Sequence, residues 1–401
     1  MTWQNYLDDQ QSKFVEDLLD FVRIPSVSAA KENFDDVVRA GNWVVGRLKQ
    51  AGIANARMMK TETHPIVYGD WLQAGSDKPT VLIYGHFDVQ PAEPLNLWDS
   101  PPFEPILVGG TIRGRGASDD KGGMLIPILA AEALLSSEGK LPVNVKFFFE
   151  GQEEIGSPTL QAFITDNSDL LKADMIFSAD GGQWGEDQPS MIMGLKGLVG
   201  CEIMVSGASG DQHSGMQGGG IANPIHALSH IIASMKDING EIKVTGFYDD
   251  VVELNVHDRQ SISRVPFDED AYIKKLGVPD VFGETGFTTP DRLWARPTLE
   301  LHGIWGGYQG EGTKTVLPAK AYAKITCRLV ADQKPDQIYM LLKQHIQEHT
   351  PRGVTTDISR LPGSAEPFLV PSGHNSSQIA AEILSDCLLY TSPSPRDLTA
   401  S

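Results

Sequence analysis

Apolar side chains at Phe14, Leu18, Leu19 and Val22 follow a helical spacing that stops before Pro25, which predicts an amphipathic helix near the start of the chain. A second helix is predicted from Phe34 to Gln50, with Val37, Val38, Trp43, Val44 and Leu48 inward and Gly52 closing it. The period then shortens. Pro65–Leu72 and Thr80–Tyr84 read as strands, the latter running into a loop through Gln90. Met124–Ser136 reads as a helix, residues 143–150 as a buried strand, and Met175–Ser178 as a third strand ending at Asp180. Strands alternating with helices, each strand closing on a polar residue, describe an open α/β sheet whose ligands gather beyond the carboxyl ends of the strands.

Near Gly194 the texture changes to longer, alternating strands. A helix is predicted over Asn223–Met235, strands over 299–301 and 321–330, and an amphipathic helix over 336–350 with Ile338, Leu341, Leu342 and Ile346 on one face. The expected organisation is a first α/β domain over 1–194 with a mostly parallel sheet flanked by helices. A smaller α+β domain over 195–357 is inserted into it, and 358–387 returns to the first domain. A chain of 401 residues is long for one core, which favours this division. No internal repeat is present.

Composition narrows the function classes. The formal charge of -19 argues against a nucleic-acid partner, because phosphate binding needs a basic surface. Cys201, Cys327 and Cys387 have neither disulfide-type nor metal-type spacing, which fits a reducing compartment. The N-terminal stretch has no basic n-region followed by an apolar h-region, and no apolar run approaches the ~18 residues of a membrane span. A cytoplasmic protein without a membrane partner is expected.

The candidate chemistry sits at the strand ends. In Tyr84-Gly85-His86-Phe87-Asp88-Val89 an imidazole can ligate a metal while the carboxylate two residues on fixes its tautomer. In the segment 114–123, GRGASDDKGG, two adjacent acids stand in a glycine-framed turn before a helix. Asp120 can equally serve as a helix cap, whereas the glycines around Asp119 suggest a metal-bridging turn. In 150–157, EGQEEIGS, adjacent glutamates point different ways, so one can bind metal while the other takes a proton from water. Asp180, before two glycines, ends the next strand; by itself such an aspartate also fits an ordinary turn. A mixed N/O set without cysteine suits Zn²⁺, with Mn²⁺ or Co²⁺ as alternatives. In the second domain, His213 on a glycine-rich loop could stabilise an oxyanion or be a loop residue only, and Arg328 could grip a substrate carboxylate or pair with a neighbouring acid.

Taken in order, GHFDVQP, GRGASDDKGG, EGQEEIGS, the Asp180 strand end, GDQHSG, GEGTKTVLPAKA and CRLVADQKP resemble the M20 metallopeptidases, especially their carnosinase-like dipeptidase branch. The resemblance covers about residues 10–385. It implies two metal ions, with His86 and Asp180 on one, Glu154 on the other and Asp119 bridging, commonly before a cis peptide. It further implies Glu153 as general base, Asp88 orienting His86, His213 reaching the site of a neighbouring subunit, and His302 and Arg328 binding substrate. The inserted domain would be a lid through which a homodimer forms. The implied reaction is hydrolysis of dipeptides or short peptides. The alternatives are an N-acyl amino acid deacylase of the same family and a non-catalytic truncated homologue.

The chain departs from that family at its end. Relatives of this branch are expected to continue past residue 401 into a glycine-rich substrate-carboxylate loop and a final histidine ligand, neither of which is found here. His374 stands too early to substitute for that ligand. Residues 388–401 read as a non-native tail, and the chain as written is expected to be inactive or nearly so.

Overall fold

The computed structural model describes residues 1–182, 184, 185, 188, 190–370 and 374–389. The chain divides into two compact units, Met1–Ser190 and Met191–Ser401.

The first unit opens with helices α1 (Trp3–Val22) and α2 (Phe34–Gln50), whose inward faces bury Phe14, Phe21 and Val22 and then Val37, Val44 and Leu48. The strands β1 (Arg57–Met59), β2 (Ile66–Trp71) and β3 (Thr80–His86) follow, then a small hairpin of β4 (Ile106–Val108) and β5 (Thr111–Arg113). Helix α3 (Lys121–Glu138), strand β6 (Asn144–Glu150), helices α4 (Leu160–Asp166) and α5 (Ser168–Leu171), and strand β7 (Met175–Ser178) complete it. The sheet order is β1-β2-β6-β3-β7, with β3 parallel to both β6 and β7 and with β1 and β2 antiparallel. The sheet is therefore mixed, and its parallel half carries the candidate site. All seven residues of β6 are buried, which explains their apolar run: both faces of this central strand are covered. Phe147 and Phe149 point into the core that α2 and α3 close, whereas Phe148 packs on the opposite face with Tyr68 and Phe163. A buried ion network of Arg47 with Asp17 and Glu132 ties the three long helices together.

The second unit begins with β8 (Gly194–Leu195), β9 (Gly197–Ser206), β10 (Gln212–His213) and the short helix α6 (Ser214–Gln217). Helices α7 (Pro224–Met235), α8 (Val256–Ser263), α9 (Glu269–Leu276) and α10 (Thr289–Trp294) precede β11 (Thr298–Gly306), β12 (Val316–Leu317) and β13 (Lys320–Leu329). Then come α11 (Pro335–Glu348), β14 (Thr355–Arg360), β15 (Phe368–Leu369) and α12 (Asn375–Leu389). An antiparallel sheet in the order β11-β13-β9-β14 buries alternate residues of β9 and β13 beneath α7 and α11. Cys201 and Cys327 lie buried and unbonded in that core. The helices between 256 and 294 are short, of six to eight residues, and the sequence reading did not anticipate them. Helix α12 runs to Leu389, beyond the break expected at 388. The side chain of Cys387 and residues 390–401 lie outside the described residues.

Candidate metal centre

Parallel strands β3, β6 and β7 deliver His86, the turn after Glu150, and Asp180 to one end of the sheet, because parallel neighbours end on the same side. His86 Nε2 lies 3.0 Å from Asp119 Oδ1 and 3.8 Å from Asp180 Oδ2. Among the described residues these three form the one group whose ligand atoms all fall within 4.8 Å of each other. A tetrahedral ion with bonds of ~2.0–2.2 Å needs donors ~3.3 Å apart, so the spacing and the N/O chemistry both fit a divalent metal. His86 is buried, whereas Asp119 and Asp180 are exposed, which leaves the cluster open on one side.

The Asp119–Asp120 peptide is cis. Asp120 occupies the cap position of α3 but makes no capping hydrogen bond with its side chain, so the helix-cap reading does not hold for it. Its fully buried carboxylate instead accepts the His86 main-chain N–H at 3.1 Å. That approach needs glycine on the strand: a Cβ at Gly85 would sit 2.6 Å from Asp120 Oδ2 and 2.9 Å from Met124 Cβ. Burial pushes the Asp120 carboxyl up to about 7.

Asp88 is wholly buried and does more than orient the imidazole. His86 Nδ1 lies 3.0 Å from the Asp88 carbonyl oxygen and 3.5 Å from its carboxylate. Both carboxylate oxygens are taken by main-chain donors, the N–H of Glu153 at 3.2 Å and of Glu154 at 3.1 Å. Burial alone pulls the His86 imidazole down. The hydrogen bond and charge of Asp88, with Asp120 and Glu153 nearby, outweigh it and push the group up to about 10.

Glu153 and Glu154 are half-buried on the turn after β6. Burial raises the Glu153 carboxyl, against the opposing pull of His86, and the charges of Glu154, Asp180 and Asp88 raise it further. Burial also raises Glu154, which stands outside the three-residue cluster and is hydrogen-bonded by Gln90.

The sequence reading missed two buried groups behind this rim. Glu150 accepts from the Tyr84 hydroxyl at 2.7 Å and is pushed up to about 7 by burial. Lys121 donates to the carbonyls of Phe21 at 3.0 Å and Ile24 at 2.6 Å. The carbonyl acceptors of Lys121 are about a hundred residues away in sequence, and nothing local announces them.

The remaining predicted residues belong to the second unit. His213 is exposed on β10, where its Nδ1 accepts the Gly215 N–H at 3.1 Å. His302 is exposed on β11 at an irregularity in the ladder, 3.4 Å from Thr326 Oγ1. Arg328 is exposed on β13 opposite Thr298. Its charged neighbour is a second cation, Lys196, which burial and then the Arg328 charge pull down to about 8. Lys196 itself donates to the carbonyls of Arg292 at 3.3 Å and Arg296 at 2.7 Å.

Comparisons with known proteins identify the family. Residues 193–354 match the peptidase dimerisation domain of the M20 type. The Cys-Gly metallodipeptidase dug1 of Schizosaccharomyces pombe is 34% identical over 357 residues, covering 85% of this chain and 74% of that protein. The beta-Ala-His dipeptidase of Rattus norvegicus is 30% identical over 358 residues, covering 85% of this chain and 72% of that protein. The crystal structure of an M20 family metallo-carboxypeptidase from Sulfolobus solfataricus superposes with a TM-score of 0.81 at 32% identity, covering 94% of this chain and 83% of that one. With a histidine–carboxylate cluster at the strand ends, and relatives at this identity matched along most of their length, the chain belongs to the M20 family of metallopeptidases.

Proposed function

We propose that this protein hydrolyses the peptide bond of dipeptides or short peptides with two divalent metal ions, Zn²⁺ being the expected pair. The observation that carries the reading is the convergence of His86, Asp119 and Asp180 within 4.8 Å, with Glu153 and Glu154 on the adjoining turn. His86 and Asp180 would hold one ion, Glu154 the other, and Asp119 both. Ions bound there would polarise the scissile carbonyl and acidify an attacking water.

Glu153 is the general base. Its carboxyl is raised by burial and by neighbouring acids, which strengthens it as a proton acceptor and later lets it return the proton to the leaving amine. Asp88 keeps it in place by accepting its main-chain N–H, so the base moves little while its carboxylate changes protonation. Arg328 and His302 would bind substrate, with the Arg328–Lys196 cation pair suited to a peptide carboxylate. The dimerisation-domain match over 193–354 supports a lid at 195–357 and a homodimer in which His213 serves the neighbouring subunit. In this division 1–194 and 358–387 form the catalytic domain. No helix among the described residues is long and apolar enough to cross a membrane, and the cysteine pattern supports a cytoplasmic setting.

The test pairs metal titration with substrate choice. In a form of the protein that carries the full ligand set the resemblance implies, calorimetry with Zn²⁺ should count two ions per subunit, and dipeptides with a free amino group should be cleaved in preference to N-acetyl amino acids. Cleavage of N-acetyl amino acids alone would replace this reading with a deacylase.

A further inference from the structure

The short segment after β3 grips the base-and-ligand turn in a way that the metal ligands themselves do not require. Gln90 directs three hydrogen bonds at one residue. Its main-chain N–H donates to Glu154 Oε1 at 3.2 Å, and its side-chain amide donates to Glu154 Oε2 at 2.8 Å and to the Glu154 carbonyl at 3.2 Å. Two residues earlier, Asp88 takes the N–H groups of Glu153 and Glu154. Main chain and carboxylate of Glu154 are thus both held from 88–90.

That segment is a firm base. The Val89 N–H donates to the Ser26 carbonyl at 2.9 Å, the Ser26 hydroxyl donates to the Phe87 carbonyl at 2.6 Å, and Phe87 N–H donates to the Glu150 carbonyl at 2.9 Å. Val89 itself is fully buried. Gln90 therefore projects from a fixed main chain although its own side chain is exposed.

We infer that Gln90 is a positioning residue that fixes the Glu154 carboxylate as a ligand for the second metal ion. This rests on the two-ion reading above and adds to it the residue that orients the outlying ligand. The chemistry suits the task. An amide offers N–H donors without charge, so it steadies the carboxylate and leaves its negative charge for the ion. A lysine or arginine in the same place would compete with the metal. Groups that hold a ligand from behind in this way typically change metal affinity by ~10–100-fold when removed.

The test is calorimetric titration with Zn²⁺ at pH 7 of the metal-stripped protein, in a form that carries the full ligand set the resemblance implies. The variant Gln90→Met keeps the bulk and the main-chain N–H while deleting both side-chain donations, and Gln90→Ala serves as a second variant should the first fold poorly. Thermal unfolding should match the parent, as befits an exposed side chain. The first ion should bind within about twofold of the parent, and the second roughly 10–100-fold more weakly. Equal weakening of both steps, or no weakening of either, overturns the inference, because a general structural role moves both ions together. A parent chain that takes up one ion or none defeats the two-ion reading instead, and this inference falls with it.

Discussion

Lys121→Met separates the cost of a buried charge from the value of the contacts it makes. Lys121 is fully buried, donates to the carbonyls of Phe21 and Ile24, and lies 4.9 Å from the centre of the Phe21 ring. Burial pulls its amine from 10.5 down to about 7, against a smaller opposing pull from Asp88. Between pH 7 and 10.5 the unfolded chain therefore binds more protons than the folded one, and stability from this group rises with pH. Below about pH 7 both states are protonated, and the full penalty for burying the ammonium persists. At ~1.36 kcal/mol per unit, the parent gains roughly 3 kcal/mol from this group between pH 6 and pH 9. Methionine fills the same space without charge and forfeits two hydrogen bonds, each contributing about 1 kcal/mol. At pH 6 the variant should be as stable as the parent or more so, in keeping with other buried charges replaced by apolar groups. At pH 9 the comparison should swing against it by roughly 3 kcal/mol. Urea unfolding of both proteins in EDTA, following the transition of the first unit at the two pH values, measures the swing. A parent–variant difference that stays within about 1 kcal/mol across this range refutes the reasoning.

In a protein carrying the full ligand set, Glu153→Gln should lower peptide turnover by roughly 10²–10⁴-fold while leaving Zn²⁺ uptake unchanged, as seen by calorimetry beside a steady-state assay. With His86 held up at about 10 in the metal-free chain, Zn²⁺ binding at pH 7 should release at least one proton per chain. Affinity should then rise about tenfold per pH unit below pH 9, and titrations in phosphate and Tris buffers would expose the proton; equal heats in the two buffers would contradict it. Gly85→Ala sets a methyl group against Asp120 and Met124, so unfolding in urea should show a loss of about 1–3 kcal/mol together with weaker metal binding.

Much of this protein was legible one segment at a time. Helix α2 begins and ends at Phe34 and Gln50 as its apolar period predicts, and β7 spans the expected Met175–Ser178, because each element buries a face set by local spacing. The strand-end rule likewise placed His86 and Asp180 on one rim before any distance was known. The helices between 256 and 294 escaped because they are short and are tied to one another by side-chain pairs, Arg259 with Asp291 and Thr289 with Glu269, that local spacing does not announce. The antiparallel addition of β1 and β2 escaped for a related reason: a short strand does not declare the direction of its neighbour.

By itself the sequence determined which side chains could bind a metal, since residue type fixes ligand chemistry and strand order fixes the rim on which ligands meet. Tertiary structure decided what each acid does. Asp119 and Asp120 are adjacent and alike in sequence, yet one stands exposed 3.0 Å from the imidazole and the other lies buried on the His86 main chain. Asp88 proved to hold the base turn as well as the histidine, and Gln90 to hold Glu154. Those assignments depend on contacts between residues 33 to 66 positions apart, and on which oxygen is free after main-chain donors are satisfied. Local pattern carries neither.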